Sequence, residues 1–153
     1  MLPATSSRVQ EHTHPQINER LEQQMEDSVR RLSCQPEQIP MRLEELDREW
    51  DIERTLEANA ATITAVTTVL GLTWKRGSLI MPIIVGGFLL QHALQGWCPP
   101  LEIFRRKGIR TRSEIESERQ ALKALRGDYD NLPPAGECDG SEDIAAYVRA
   151  VQR

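Results

Sequence analysis

Residues 58–101 read "ANAATITAVTTVLGLTWKRGSLIMPIIVGGFLLQHALQGWCPPL", a stretch with no acid and only two bases, Lys75 and Arg76. Those bases lie in the link KRGS, which divides the stretch into one run from Ala58 to Trp74 and another from Leu79 to Leu101. At about 1.5 Å per residue the first run spans roughly 25 Å as a helix, slightly less than the roughly 30 Å hydrocarbon layer of a bilayer, and the second exceeds it. Two such helices this close in sequence form a hairpin. The Ala and Thr content makes the first run a weak inserter alone, but its hydroxyls can bond to their own helix carbonyls and its small side chains admit a partner. The competing arrangement is a hairpin buried in a soluble bundle; acid-free runs of this length favour the bilayer.

Charge outside the stretch is distributed in blocks. Residues 1–57 carry thirteen acids and seven bases, residues 102–126 eight bases and four acids, and residues 127–153 six acids and two bases, so the net charge of −4 conceals the pattern. Trp74 and Trp97 fall near the ends of the runs, where indoles favour the membrane interface. Arg105, Arg106, Lys107, Arg110 and Arg112 follow the second run closely, with Arg42, Arg48 and Arg54 ahead of the first. Because basic flanks are retained in the cytoplasm, eight bases against the two of the turn predict cytoplasmic termini and an external turn. Cys34, Cys98 and Cys138 are three scattered thiols without C-x-x-C spacing, in keeping with a reducing compartment. The first residues lack the basic and apolar regions of a cleaved secretory signal, so none is expected.

Five segments follow. Residues 1–16 read as a flexible arm. Residues 17–57 read as cytoplasmic amphipathic helices, one with Ile17, Leu21, Met25, Val29 and Leu32 on a stripe and a second with Leu43, Leu46 and Trp50. Residues 58–101 are the transmembrane hairpin. Residues 102–127 hold the basic segment and an amphipathic helix opened by capping-box patterns at Thr111–Glu114 and Ser113–Glu116, carrying Ile115, Leu122 and Leu125 and stopped by Gly127. Residues 128–153 form a linker and a short helix capped by Ser141 with Ile144, Val148 and Val151 on one face. The fold class is therefore all-α: a two-span transmembrane helical hairpin with amphipathic helices before and after it.

Candidate residues divide by chemistry. Ala61 and Ala65 form a small-x-x-x-small pair, and Gly71, Gly86 and Gly87 remove bulk within the spans, so these five are expected at helix packing surfaces. Trp74, Trp97, Arg105, Arg106 and Lys107 are expected at the membrane interface, the bases against anionic lipid headgroups. In Gly96-Trp97-Cys98-Pro99-Pro100 the prolines are expected to stop the second helix where it leaves lipid. Cys98 is the candidate thiol, since cationic neighbours favour the form in which a cysteine reacts. No second cysteine or evident base lies beside it in sequence. Gln91, His92 and Gln95 are expected to face Thr62, Thr64, Thr67 or Thr68 across the hairpin, and no buried carboxylate is apparent for His92. His12, His14 and His92 make no helical ligand pair, so neither a metal nor a cofactor is expected. The basic cluster lacks interleaved aromatics, which argues against nucleic acid. No Walker A, G-x-G-x-x-G, H-E-x-x-H or G-x-S-x-G pattern occurs, and nothing suggests a self-contained enzyme.

The stretches EWDIERTLEANAA, GGFLLQHALQGWCPP and RRKGIRTRSEIESERQALKALRGDY, with the hairpin between the first two, together resemble the YgaP-type inner-membrane domain family. The resemblance covers about Leu43 to Tyr129, most specifically Gly96-Trp97-Cys98-Pro99 and Ala121 to Asp128. It implies a two-helix unit of bacterial inner membranes. In some relatives that unit follows a rhodanese domain, a sulfur-transfer module; this chain has no counterpart to it, so sulfur-transfer activity does not carry over. The expected function is a membrane-anchored interaction module, with the bilayer and a homo-oligomer or another membrane protein as partners. The alternative is an accessory of sulfur or thiol transfer using Cys98.

Overall fold

The computed structural model describes residues 7–130 and Val151, and these are helical wherever they are regular. Seven α-helices follow one another: α1 (Arg8–Glu11), α2 (Pro15–Ser33), α3 (Ile39–Arg48), α4 (Ile52–Thr73), α5 (Ile80–Gln95), α6 (Pro99–Arg106) and α7 (Arg112–Arg126), with 3₁₀ turns at Pro36–Gln38 and Arg76–Leu79. No strand occurs among the described residues. Cys138 and the helix expected from Ser141 lie outside the described residues, apart from Val151, which is helical.

Helices α2, α3 and α7 close one core. Leu32, Ile39, Leu43, Leu46, Ile115 and Leu122 are buried together, with Val29 packed against them. The leucines of the two amphipathic stripes are thus inside, but Trp50 is not: α3 ends at Arg48, and Trp50 is exposed beyond it with the Arg54 guanidinium over its ring. α7 opens as expected, with the Thr111 side chain accepting from the Glu114 amide and the Glu114 carboxylate accepting from the Thr111 amide, and it closes on Gly127 in the left-handed region at φ 83°.

A second core joins this bundle to the base of a hairpin. Val9, Ile52, Leu56, Cys98 and Leu101 are buried together, with Phe104 and Ile109 against them. The expectation of a flexible arm through residue 16 is therefore corrected for its described part. Val9 needs burial, and the Arg8 guanidinium donates to Ala93 O at 3.0 Å and to Glu53 Oε1 at 3.2 Å. Residues 7–16 are docked.

Helices α4 and α5 run antiparallel, since Gly71 late in α4 meets Leu79 just before α5, and Glu53 early in α4 meets His92 late in α5. As their composition suggested, Thr62, Thr67 and Thr73 donate to the carbonyls of Ala58, Ile63 and Val69 four residues earlier. Pro82, Val85, Leu89 and His92, spaced three and four apart, turn inward on α5. Much of the outer surface is apolar: Leu72, Trp74 and Ile83 are 75%, 89% and 74% exposed. Of the two runs, only Arg76–Gln95 is long and apolar enough by itself to cross a membrane, and 6% of its most apolar window is buried. The helical hairpin is thus present, with one candidate span in it.

Candidate functional site

The chain leaves α5 through Gly96, whose positive φ of 74° and close packing on Arg8 leave no room for a side chain: a Cβ there would lie 2.6 Å from the Arg8 Cβ. Gly96 therefore ends the helix. Pro99 and Pro100 instead open α6, where a missing amide hydrogen costs nothing, and Cys98 is its N-cap residue without a capping hydrogen bond from its side chain. This corrects the expectation that the prolines act as the stop. Cys98 is 2% exposed.

The thiol stands beside a base that the sequence did not pair with it. His92 is 4% exposed, and its ring lies close to both the Cys98 thiol and the Glu53 carboxylate. The Nε2 to Glu53 Oε2 distance is 2.7 Å. An ionised carboxylate only accepts, so Nε2 carries the hydrogen; Nδ1 is sealed from solvent and has no hydrogen-bond partner. Glu53 is held in turn by Arg8. The hydrogen bond to His92 holds the Glu53 carboxyl below the usual range, against the upward push of burial. Arg8, Glu53 and His92 thus form one hydrogen-bonded series that ends near Cys98. His92 thus has a half-buried carboxylate partner that its sequence neighbourhood lacked, in place of the threonines of α4.

Next to Cys98, between the bases of α4 and α5 and the start of α6, is an apolar crevice of about 150 Å³ lined by Leu56, Ile63, Val85, Phe88, Leu89 and Phe104. Its walls carry almost no polar surface.

The basic cluster divides in two. Arg105, expected at headgroups, is 0% exposed: it donates to both Glu114 oxygens at 2.7 and 2.8 Å, to Asn18 Oδ1 at 2.9 Å, to Ile109 O at 3.2 Å and to Thr13 Oγ1 at 3.3 Å. It is a structural residue, because no donor is left for lipid. Arg110 is likewise buried, paired with Glu49 and with Glu118, which is itself 0% exposed and also accepts from Arg42 and Ser28. Arg106, Lys107 and Arg112 remain exposed.

Among the packing candidates, Gly71 lies where expected: a Cβ would meet the Leu79 side chain at 2.5 Å and its backbone nitrogen at 3.2 Å. At Gly86 and Gly87 a Cβ would meet nothing within 4 Å, and Ala61 and Ala65 are exposed, so these four point away from the helix–helix contact. Trp74 stands free at the hairpin tip, and Trp97 is exposed at its base. Among the described residues no cluster of three His, Cys, Asp or Glu side chains is arranged to hold a metal. Comparison with family models, curated proteins and solved structures gives no match.

Proposed function

We propose that this chain is a two-span membrane protein of the YgaP-type inner-membrane kind, whose α4–α5 hairpin sits in the bilayer and holds the α2–α3–α7 bundle on the cytoplasmic face as an interaction module. The observation that carries the reading is the 6% burial of the Arg76–Gln95 window. A soluble bundle would have to cover that surface. Here it is presented outward together with Val66, Val69 and Leu72 of α4, and exposed apolar surface gathered on one element marks a contact with lipid or a partner.

The flanks support the same reading. With Arg105 and Arg110 committed to carboxylates, Arg48, Arg54, Arg106, Lys107 and Arg112 are still exposed at the base, against Lys75 and Arg76 at the tip, which favours cytoplasmic termini. Arg106 and Lys107 are the bases offered to anionic headgroups. Alkaline carbonate extraction of native membranes is the test: the chain stays in the pellet and leaves it only with detergent. Recovery in the soluble fraction after detergent-free lysis would refute the bilayer placement. The second reading, an accessory of thiol transfer through Cys98, draws on the Glu53–His92 pair beside the thiol.

A further inference from the structure

We propose that α6 is an interfacial helix lying on the bilayer surface with Ile103 at the boundary of headgroups and acyl chains, and that Arg20 of α2 joins Arg106 and Lys107 in gathering anionic phospholipid around it. The inference rests on the membrane placement above and adds which side of the bundle faces lipid.

The depth of α6 is fixed by its contacts with the hairpin. Pro100 in its first turn and Phe104 in its second half both line the crevice, together with Ile63 of α4 and Val85 and Phe88 of α5. A helix leading the chain away from the bilayer would bring only its first turn to the hairpin. α6 instead lies across the hairpin base along its length.

The outward side of α6 has the character that this depth demands. Leu101 and Arg105 are buried, whereas Pro99, Ile103, Arg106 and Lys107 are exposed and, at 3.6 residues per turn, share one arc of about 100°. Ile103 is 57% exposed at the centre of that arc. An apolar centre flanked by long basic side chains is how a helix lies in the plane of a membrane: the apolar group enters and the basic stems reach back to the phosphates.

Arg20 supplies a third base from a different helix. Its guanidinium donates to Arg106 O at 2.9 Å, a carbonyl at the end of α6 that has no later turn to bond to, and this holds the charge beside Arg106. On α2 the neighbours one turn either side of Arg20 are the uncharged Gln16 and Gln24, while Glu19, Glu22 and Glu26 lie roughly 100° or more around the helix. The acid of α6, Glu102, is paired with Arg106. Three bases against one acid make the surface complementary to anionic headgroups, each base favouring them about fivefold.

The test uses the full chain without its native cysteines, carrying Ile103→Cys labelled with an environment-sensitive fluorophore, in nanodiscs of phosphatidylcholine and phosphatidylglycerol. A nitroxide high on the acyl chain is placed on one lipid or the other at equal fraction. Quenching by both is expected, with the phosphatidylglycerol nitroxide enriched about fivefold or more around the probe. That preference should fall at high salt and vanish when Arg20→Gln, Arg106→Gln and Lys107→Gln are combined, while Arg106→Lys keeps it. Lys107→Gln alone, at an exposed position, should lower it in the same direction, and far-UV circular dichroism shows that each variant is folded. A reference probe at Leu90→Cys, on the exposed face of α5, should be quenched equally by a nitroxide on either lipid. Equal quenching by both lipids at position 103, or a preference that survives the triple change, would overturn the anionic-lipid surface. Quenching at position 90 with none at position 103 refutes the docking of α6 alone and leaves its bases to an acidic protein partner; no quenching at position 90 refutes the membrane placement on which the inference rests.

Discussion

Replacing Arg105 with methionine removes a buried guanidinium while keeping the length of its stem. Five hydrogen bonds disappear, two of them to Glu114, and the carboxylate stays behind in a largely buried place. Removing one member of a buried ion pair costs about 3–5 kcal/mol. The lower end applies, because Glu114 still accepts from the Thr111 amide at 2.8 Å and from Gln10 at 3.1 Å. At roughly 2–4 °C per kcal/mol for a chain of this size, a loss of about 3 kcal/mol lowers the melting temperature by roughly 6–12 °C. Arg106→Ala is the control: its contact with Glu102 is an exposed i,i+4 pair worth about 0.5 kcal/mol or less. Thermal unfolding followed by far-UV circular dichroism in one detergent compares them, and Arg105→Met combined with Glu114→Gln should cost less than the sum of the single changes by about 1 kcal/mol or more. A melting temperature for Arg105→Met equal to that of Arg106→Ala would refute the structural role of Arg105 and return it to the lipid interface.

Acid should loosen the bundle. Burial pushes the Glu118 and Glu114 carboxyls up, but Arg42, Arg110 and Ser28 for the one, and Arg105, the Thr111 amide and Gln10 for the other, outweigh it and hold both below the ordinary value of 4.5. Groups lowered in the folded state stabilise above that value and lose their contribution as pH falls through the folded one, so stability should be level near neutrality and decline below pH 4.5. A melting temperature unchanged on acidification would contradict this. Gly71→Ala should destabilise the hairpin by about 1–3 kcal/mol through its clash with Leu79, whereas Gly86→Leu and Gly87→Leu should leave unfolding of the single chain unchanged. The reverse ranking would mean that α5 presents its other face to α4.

What could be read in the sequence was local. The capping box at Thr111 and Glu114, the stop at Gly127 and the inward leucines of α2 and α3 depend on spacings of three or four residues, and each is found. The position of Gly71 also came through, because it lies beside the turn. Gly86 and Gly87 did not, since their role depends on the rotation of α5, which Pro82, Val85, Leu89 and His92 fix by facing α4. Arg105 looked like its exposed neighbours because nothing in a run of bases tells which one Glu114 will reach from the next helix. The pairing of His92 with Glu53 spans 39 residues and exists only once the hairpin closes on the first turn of α4. A histidine and a cysteine six positions apart were therefore visible without the carboxylate that gives them a direction.

The central claim is a hairpin that crosses the bilayer and returns, and the turn at its tip reports on it most directly. Gly77 is exposed, and a side chain there meets nothing within 4 Å, so Gly77→Cys in a chain otherwise without cysteine places a harmless thiol at the tip; a companion chain retains only the exposed Cys34 of the bundle. Treated with an impermeant maleimide in intact spheroplasts, the tip thiol should be labelled and Cys34 should react only after lysis. Labelling of Cys34 before lysis, or protection of position 77 until lysis, would contradict a hairpin that crosses the membrane from the cytoplasmic side.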